Sequence, residues 1–137
     1  MTYALDSNTI SYFLRDEGNV RKNVELELAK NGNYYAIPPV VIYEVQRWLR
    51  DKPTKKVREA ASTFGMLLQA VVSKSEMPLE VFEKAADIYI ELKQKGQLIG
   101  DADILIAAYC MVNNYTLVTR NTDDFKRIDG LKFTNWF

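Results

Sequence analysis

Histidine is absent from this chain of 137 residues, and cysteine occurs only once, at Cys110. Without an imidazole the chain cannot use Ser-His-Asp or Cys-His catalysis, a histidine-liganded zinc ion or an imidazole general base. Cys110 has no partner for an internal disulfide and lies among apolar residues, so we assign it to the core. Any catalysis must therefore come from other groups, and carboxylates most naturally hold a hard cation such as Mg²⁺ or Mn²⁺.

The chain also lacks a long apolar run and an excess of either charge. Its longest clear apolar run, residues 104–112, is far shorter than the roughly 18 residues of a membrane-spanning helix. The first residues lack the basic and apolar regions of a signal peptide, so we expect a cytoplasmic protein without membrane contact. Eighteen basic and eighteen acidic residues give zero net charge. A nucleic-acid partner would therefore need a local basic patch and metal bound at acidic side chains.

No repeat or long flexible linker divides the chain, so we predict one domain over residues 1–137. Turn signals and periodicity predict strands at 2–5, 34–37, 116–119 and 131–134, with a possible short strand at 73–77. Helices are predicted at 7–14, 19–30, 40–50, 54–70, 78–95, 101–112 and 122–127. This alternation predicts an α/β domain with a mostly parallel central sheet and right-handed crossovers, whose site lies beyond the carboxyl ends of the strands.

That placement rule selects a few acids from the many in the chain. Asp6 directly follows the first predicted strand, while Asn121 and Asp124 follow the strand at 116–119, so they could share one rim. Glu44 lies on a helix in line with the apolar positions Val41, Val45, Trp48 and Leu49. An unpaired buried carboxylate is costly, so Glu44 must lie at the edge of this stripe, pair with a base, be protonated or bind a cation.

Asp101 and Asp103 open the predicted helix at 101–112. The unsatisfied N–H groups and the dipole of a helix N-terminus favour negative charge, which keeps nearby carboxylates ionised as metal ligands must be. A purely structural interpretation is available for each acid alone: helix capping for the aspartates, and an ion pair with Arg47 or Arg50 for Glu44. These separate interpretations do not explain why acids occur at all of these positions in a chain without histidine.

Four motifs occur in order along the chain: LDSNT at 5–9, VIYE at 41–44, GDADILIAA at 100–108 and LVTRNTDDF at 117–125. Together with the ending IDGLKFTNW at 128–136, they resemble the PIN-domain ribonucleases, specifically the VapC-type toxins. The resemblance covers essentially the whole chain, and the spacing of four motifs makes it specific. It implies a PIN-like three-layer α/β/α fold with a short, mostly parallel central sheet.

The resemblance also implies roles for individual residues. Catalytic and metal-binding roles fall on four acids, of which the last is less constant in the family: Asp6, Glu44, Asp103 and Asp124. Supporting polar roles fall on Ser7, Thr119 and Asn121. Asp101 lies two residues before the position assigned to Asp103, and is either a cap or an outer-shell metal ligand. The metal would be Mg²⁺ or Mn²⁺, and the reaction would be endonucleolytic cleavage of RNA by metal-assisted hydrolysis.

A VapC-type toxin implies several partners: a structured RNA such as tRNA or rRNA, a cognate VapB-like antitoxin that masks the site, and a second copy in a homodimer. A basic stretch beyond Glu44 is our candidate for RNA binding, with a solvated helix end as the alternative: Arg47, Arg50, Lys52, Lys55, Lys56 and Arg58. A further set could form a partner surface, although core packing is the simpler interpretation of most of its members: Trp48, Phe64, Met66, Leu67 and Leu68.

Two other functions remain open from the sequence. A receiver-like or haloacid-dehalogenase-like phosphoryl-transfer protein also uses acids beyond parallel strands. Such a protein needs an acidic pair or an Asp-x-Asp motif directly after a strand, however, whereas Asp101 and Asp103 begin a predicted helix. The third possibility is a non-catalytic PIN-like binding protein whose acids only cap helices and pair with lysines.

Overall fold

Four parallel strands form the sheet of this protein, for which a computed structural model describes residues 1–51, 54–70 and 76–137. The strands are β1 (Thr2–Leu5), β2 (Tyr34–Ala36), β3 (Thr116–Val118) and β4 (Phe133–Thr134). The helices of the described residues are α1 (Ser7–Arg15), α2 (Val20–Leu28), α3 (Pro39–Asp51), α4 (Lys55–Gln69), α5 (Leu79–Gln94), α6 (Asp101–Asn113) and α7 (Thr122–Phe125). Helices alternate with the strands of one parallel sheet, which confirms the predicted α/β class.

The strand order is β2-β1-β3-β4, and every neighbouring pair is parallel. The chain adds β2 on one side of β1 and later places β3 on its other side, where Leu5 pairs with Val118. The connection that follows β1 therefore leads to one side of the sheet, and the connection that follows β3 leads to the other side. In open parallel sheets such a reversal opens a crevice at the carboxyl ends of the two strands, where binding sites form.

The most deeply buried elements are β3, all of whose residues are buried, and α6. Buried residues of α6 occupy nearly every position from Ile104 to Cys110, so apolar contacts surround the helix instead of covering one stripe. Its main helical neighbour is α5, and it also contacts α3 and β3. This packing fixes Asp103, in the first turn of α6, relative to the centre of the sheet. No helix of the described residues is long and apolar enough to cross a membrane.

Capping residues determine where several helices begin and end. Asp6 is the N-cap of α1, and its carboxylate accepts a hydrogen bond from the Ser7 N–H. Pro39 begins α3, where the missing N–H of proline costs nothing. Thr54 caps α4 by accepting from the Val57 N–H, and Asn114 ends α6 in the left-handed region, at φ 58°. The first of these caps places the Asp6 carboxylate at the end of β1.

The predicted elements are present, but several of their bounds were wrong. The second helix is shorter at both ends than predicted, and α7 ends at Phe125 because the chain tightens into a turn in which the Ile128 N–H bonds to the Phe125 carbonyl. The last strand begins at Phe133, not at residue 131. In the possible strand at 73–77, residues 73–75 lie outside the described residues, and Glu76 and Met77 belong to no strand.

Candidate active site

Asp6 and Thr119 meet at the carboxyl ends of β1 and β3. The Thr119 hydroxyl donates to Asp6 Oδ2 at 2.7 Å, and the Asp6 N–H donates to the Val118 carbonyl at 3.0 Å. Two residues separated by 113 positions in the chain thereby become direct neighbours. The site thus lies where the reversal of strand connections opens the crevice.

Asp6 is 2% exposed, yet its carboxylate is well supplied with donors. Besides Thr119, the Ser7 N–H donates at 2.8 Å and the Asn8 amide at 3.3 Å. Burial raises the pKa of Asp6, whereas the hydrogen bonds from Thr119, Ser7 and Asn8 lower it and only partly compensate. The donors orient the carboxylate even though burial makes its negative charge costly.

Glu44 lies on α3, half-buried, with one oxygen that lacks a partner. Its Oε1 is buried without a hydrogen bond from any described residue. Burial raises the pKa of Glu44, and the negative charge of Asp6 raises it further, while the Ser7 hydroxyl and the Arg47 charge lower it. A buried carboxylate oxygen without a donor is unfavourable, so this position is explained by a positive ligand better than by core packing.

The negative charges of the other three acids of the site act on the carboxylate of Asp103. Burial is the largest cause of its shift, followed by the charges of Asp6, Glu44 and Asp124, and together they raise the pKa of Asp103 to about 6. The three acids whose charges act on Asp103 therefore lie near it. Elements distant in sequence therefore contribute four like charges to one region: the end of β1, α3, the start of α6, and α7.

Asp124 is held by two neighbours. The Asn121 amide donates to its Oδ2 at 3.0 Å, and Arg127 lies 3.5 Å from its Oδ1. The Asn121 N–H in turn donates to the Thr119 hydroxyl oxygen at 3.0 Å. One chain of hydrogen bonds therefore runs from Asp6 through Thr119 and Asn121 to Asp124.

Thr119 lies at the centre of this chain of hydrogen bonds, and its side chain is fully buried. Loss of its hydroxyl should therefore affect both stability and the neighbouring acids. Thr119→Val keeps the shape of the residue but leaves Asp6 without its closest donor and the Asn121 N–H without its acceptor. We expect the free energy of unfolding to fall by about 1–3 kcal/mol. The family resemblance implies that Asp6 is a metal ligand; on that expectation, RNA cleavage should fall by roughly ten- to a hundredfold, as when a ligand loses its supporting hydrogen bond. Thr119→Ser, which keeps the hydroxyl, is the matched control and should retain most of both. Equal losses in the two variants would contradict the role of the hydroxyl.

The donor set suits a hard divalent cation, because Asp6, Glu44, Asp103 and Asp124 supply carboxylate oxygens and Glu44 Oε1 has no hydrogen-bond partner among the described residues. Within residues 1–51, 54–70 and 76–137, however, no three acidic or cysteine side chains are grouped closely enough to hold an ion. A bound cation would offset the repulsion between like charges that raises the pKa of Asp103.

Asp101 lies apart from these acids. It is exposed and borders a surface cavity with Phe82 and Ile90 of α5. Gly100 occupies the N-cap position of α6, and Asp101 is the first helical residue, where its negative charge suits the N-terminus of the helix. Ser7, Thr119 and Asn121 lie beside the acids, because Ser7 and Thr119 donate hydrogen bonds to Asp6 and Asn121 donates one to Asp124.

The basic stretch divides into two parts. Arg47 lines a cavity together with Glu44, whereas Arg50 is exposed and bonds to Gln46 on the same helix. Lys52 lies outside the described residues. The remaining members are exposed at the start of α4: Lys55, Lys56 and Arg58.

The five residues considered for a partner surface lie mostly inside. Phe64 is 1% exposed, and three others are partly buried against the core: Trp48, Leu67 and Leu68. Met66 is the exception, at 62% exposed. Cys110 is fully buried, and its burial raises the pKa of the thiol, which fits the assignment of this residue to the core.

Sequence reasoning missed two residues of the site. Asn8 donates to Asp6, and Arg127 pairs with Asp124. Asn8 directly follows the Asp6-Ser7 pair, so its position offered a signal. Arg127 also offered a signal, because it lies three residues after Asp124 in the helix predicted at 122–127, a spacing at which opposite charges pair.

Similarity to known proteins shows which class this protein belongs to. A family model described as the PIN domain matches residues 3–131, so the chain is a PIN-domain protein. "Ribonuclease VapC2" of Rickettsia felis is 33% identical over an alignment that covers 99% of this chain and 98% of the relative. "Ribonuclease VapC1" of Methanocaldococcus jannaschii is also 33% identical, over 68% of this chain and 67% of the relative. Within the PIN-domain proteins, the chain belongs to the VapC family.

Solved structures support this placement. A crystal structure of VapBC2 from Rickettsia felis, bound to a DNA fragment from the promoter, matches with a TM-score of 0.85 and 33% identity, covering 100% of both chains. VapBC-1 from nontypeable Haemophilus influenzae matches with a TM-score of 0.82 over 99% of this chain and 98% of the other. At 20% identity, this second likeness concerns the fold alone.

Proposed function

We propose that this protein is a divalent-metal-dependent endoribonuclease, the toxin of a toxin–antitoxin pair. The observation that carries the proposal is that Asp6, Glu44 and Asp124, from three separate elements, all lie near enough to Asp103 to raise its pKa, while a buried oxygen of Glu44 has no hydrogen-bond partner among the described residues. The names of the relatives, Ribonuclease VapC, support the same reaction. No imidazole is available for general base chemistry, so metal-assisted hydrolysis is the route that this set of side chains favours.

In this proposal Asp6, Glu44 and Asp103 hold Mg²⁺ or Mn²⁺, and Asp124 completes or extends the set. The bound metal supplies an acidified water and neutralises charge at the scissile phosphate. Thr119 orients Asp6, and Asn121 orients Asp124, through the hydrogen bonds described above. Ser7 donates its N–H to Asp6 and stabilises the negative charge of Glu44.

The partners follow from the same proposal. The solved relatives are VapBC complexes, which supports a VapB-like antitoxin as the binding partner of this chain. We further propose that residues 1–137 act as one domain, form a homodimer, and cleave a structured RNA such as tRNA or rRNA in the cytoplasm.

The two alternatives are less well supported. A receiver-like or haloacid-dehalogenase-like phosphoryl-transfer protein would need its acidic pair directly after a strand, whereas Asp101 and Asp103 lie in the first turn of α6. A non-catalytic binding protein with the same fold would have no need for a partnerless oxygen at Glu44. A non-catalytic binding protein would be distinguished by the lack of RNA cleavage with any divalent metal.

The decisive experiment incubates the purified chain with total RNA and maps the new RNA ends. We expect cleavage with Mg²⁺ or Mn²⁺, none with excess EDTA, and recovery when the metal is restored. Asp6→Asn should be inactive, because Asn keeps the helix cap but loses the charge that a metal needs. Full activity in Asp6→Asn, or activity that survives EDTA, would rule out this assignment.

A further inference from the structure

A cavity of about 360 Å³ is lined in part by Glu44, one of the four acids of the proposed active site. Helix α1 contributes Ser7 and Arg15 to the lining, and α3 contributes Glu44, Arg47 and Trp48. One acid that is proposed to hold a metal, two cations that attract phosphate and an aromatic ring therefore line the same cleft.

Arg15 occupies an aromatic environment in this cleft. Its guanidinium carbon lies 4.7 Å from the centre of the Tyr12 ring and 6.0 Å from the centre of the Trp48 ring. Its Nε donates to the Ser11 carbonyl at 3.3 Å, and Glu17 pairs with Nη1 at 3.2 Å. These contacts from α1 and Glu17 hold the planar guanidinium near Trp48 of α3.

The composition makes such a local arrangement necessary for nucleic-acid binding, since the chain has no net charge. Among the described members of the basic stretch, Arg47 is the residue that lines this cleft. It is exposed, and its guanidinium lies 5.3 Å from the centre of the Tyr43 ring. Positive charge next to Glu44 thus comes from α1 and α3, while the α4 part of the stretch does not line the cleft.

We propose that this cleft binds an unpaired nucleotide of the RNA substrate, with its base against Trp48 and the Arg15 guanidinium and its phosphate attracted by Arg47. The inference rests on the proposed function and names the part of the RNA that the site recognises. Aromatic and guanidinium planes stack on the exposed face of any unpaired base, whereas the faces of bases in a duplex are covered by their neighbours. The cleft therefore selects single-stranded segments and places the adjoining phosphate beside the carboxylates.

Tryptophan fluorescence can detect this contact, because the chain has two tryptophans. Trp136 packs on Tyr3, with ring centres 4.7 Å apart, and does not line the cleft. Trp136→Phe in an Asp103→Asn background leaves Trp48 as the reporter and prevents cleavage in Mg²⁺. We expect an unpaired RNA decamer to quench Trp48 emission, and a blunt RNA duplex of equal length to quench it much less. The reciprocal variant, Trp48→Phe, should retain unquenched Trp136 emission.

Kinetics provide the second measurement, with Asp103 intact. Trp48→Leu removes the stacking ring but keeps apolar bulk over the core, and Arg15→Gln removes the planar cation. Each should raise KM for an unpaired RNA by roughly tenfold, within the range of one lost base stack, and leave kcat within about twofold. Lys22→Gln is the control, because Lys22 is exposed on α2, does not line the cleft and loses the same charge.

The outcomes separate this inference from the proposed function. Cleavage by the wild-type chain with no quenching of Trp48, or with KM unchanged in both cleft variants, would overturn the cleft and leave the nuclease intact. Equal quenching by duplex and unpaired RNA would also overturn it, as would an equal rise of KM in Lys22→Gln. Quenching that is selective for unpaired RNA, in a chain that cleaves nothing, would support the cleft and reject the nuclease.

Discussion

Asp103→Asn is expected to lower the rate of RNA cleavage by roughly a hundred- to a thousandfold and, at the same time, to make the metal-free protein more stable. The loss follows from the proposal that Asp103 holds the metal, since a catalytic metal supplies several kcal/mol of transition-state stabilisation. The gain follows because the negative charge of Asp103 is opposed by burial and by Asp6, Glu44 and Asp124. Active sites commonly trade stability for function in this way.

The gain in stability of Asp103→Asn follows from the way the charge of Asp103 depends on pH. The pKa of Asp103 is about 6 in the folded chain, against 3.8 for a free aspartate. Between these values the folded state binds more protons than the unfolded state, so this group's contribution to stability falls as the pH rises through 6. Because Asp103 is partly exposed, solvent screening reduces the expected gain in Asp103→Asn to about 1 kcal/mol at pH 7.

Thermal unfolding in EDTA at pH 4, 5, 6 and 7 measures this difference. The two proteins should have similar stability near pH 4 and diverge in favour of Asp103→Asn by pH 7. Asp101→Asn is the matched control, since Asp101 lies in the same first turn of α6 but is exposed and borders another cavity. It should retain cleavage and gain no stability. A greater loss of cleavage in Asp101→Asn than in Asp103→Asn would reverse the ligand assignment.

Phe64→Ala is expected to lower the free energy of unfolding by about 3–5 kcal/mol, a large part of the 5–15 kcal/mol typical of a domain. Phe64 is 1% exposed on α4, which packs on both α1 and α3. Those two helices carry Ser7 and Glu44, so the cavity left by the missing ring lies beneath the elements that form the site. Chemical denaturation in urea measures the change.

Met66→Ala is the control for this prediction. Met66 is on the same helix two residues away but is 62% exposed, so its truncation should change the free energy of unfolding by less than about 0.5 kcal/mol. Equal effects of the two substitutions would mean that α4 does not pack as described. At a temperature where Phe64→Ala remains folded, its cleavage rate should fall much less than that of Asp103→Asn.

Local patterns were sufficient to predict most of the fold. Period-two and helical apolar patterns, together with caps such as Asp6 and Thr54, give the order of elements. Element ends were less predictable, as the late start of β4 at Phe133 illustrates. Strand ends depend on which backbone groups find partners in the neighbouring strand, and that is decided by the sheet.

The sequence by itself determined which chemistry is available and which acids are candidates for it. The absence of histidine left carboxylates, and their places after strands and at the head of α6 singled out Asp6, Asp124 and the pair Asp101 and Asp103, of which the family resemblance favoured Asp103. These are local properties of the chain, because a residue's position relative to the end of its own element can be read from nearby residues.

Only the tertiary structure decided how those acids act on one another. The hydrogen bond from Thr119 to Asp6, the partnerless oxygen of Glu44 and the raised pKa of Asp103 all depend on contacts between distant segments. The same holds for Arg15, which meets Trp48 across two helices. Burial and charge interactions depend on distances in space, and sequence spacing does not give these until the sheet order places β1 beside β3.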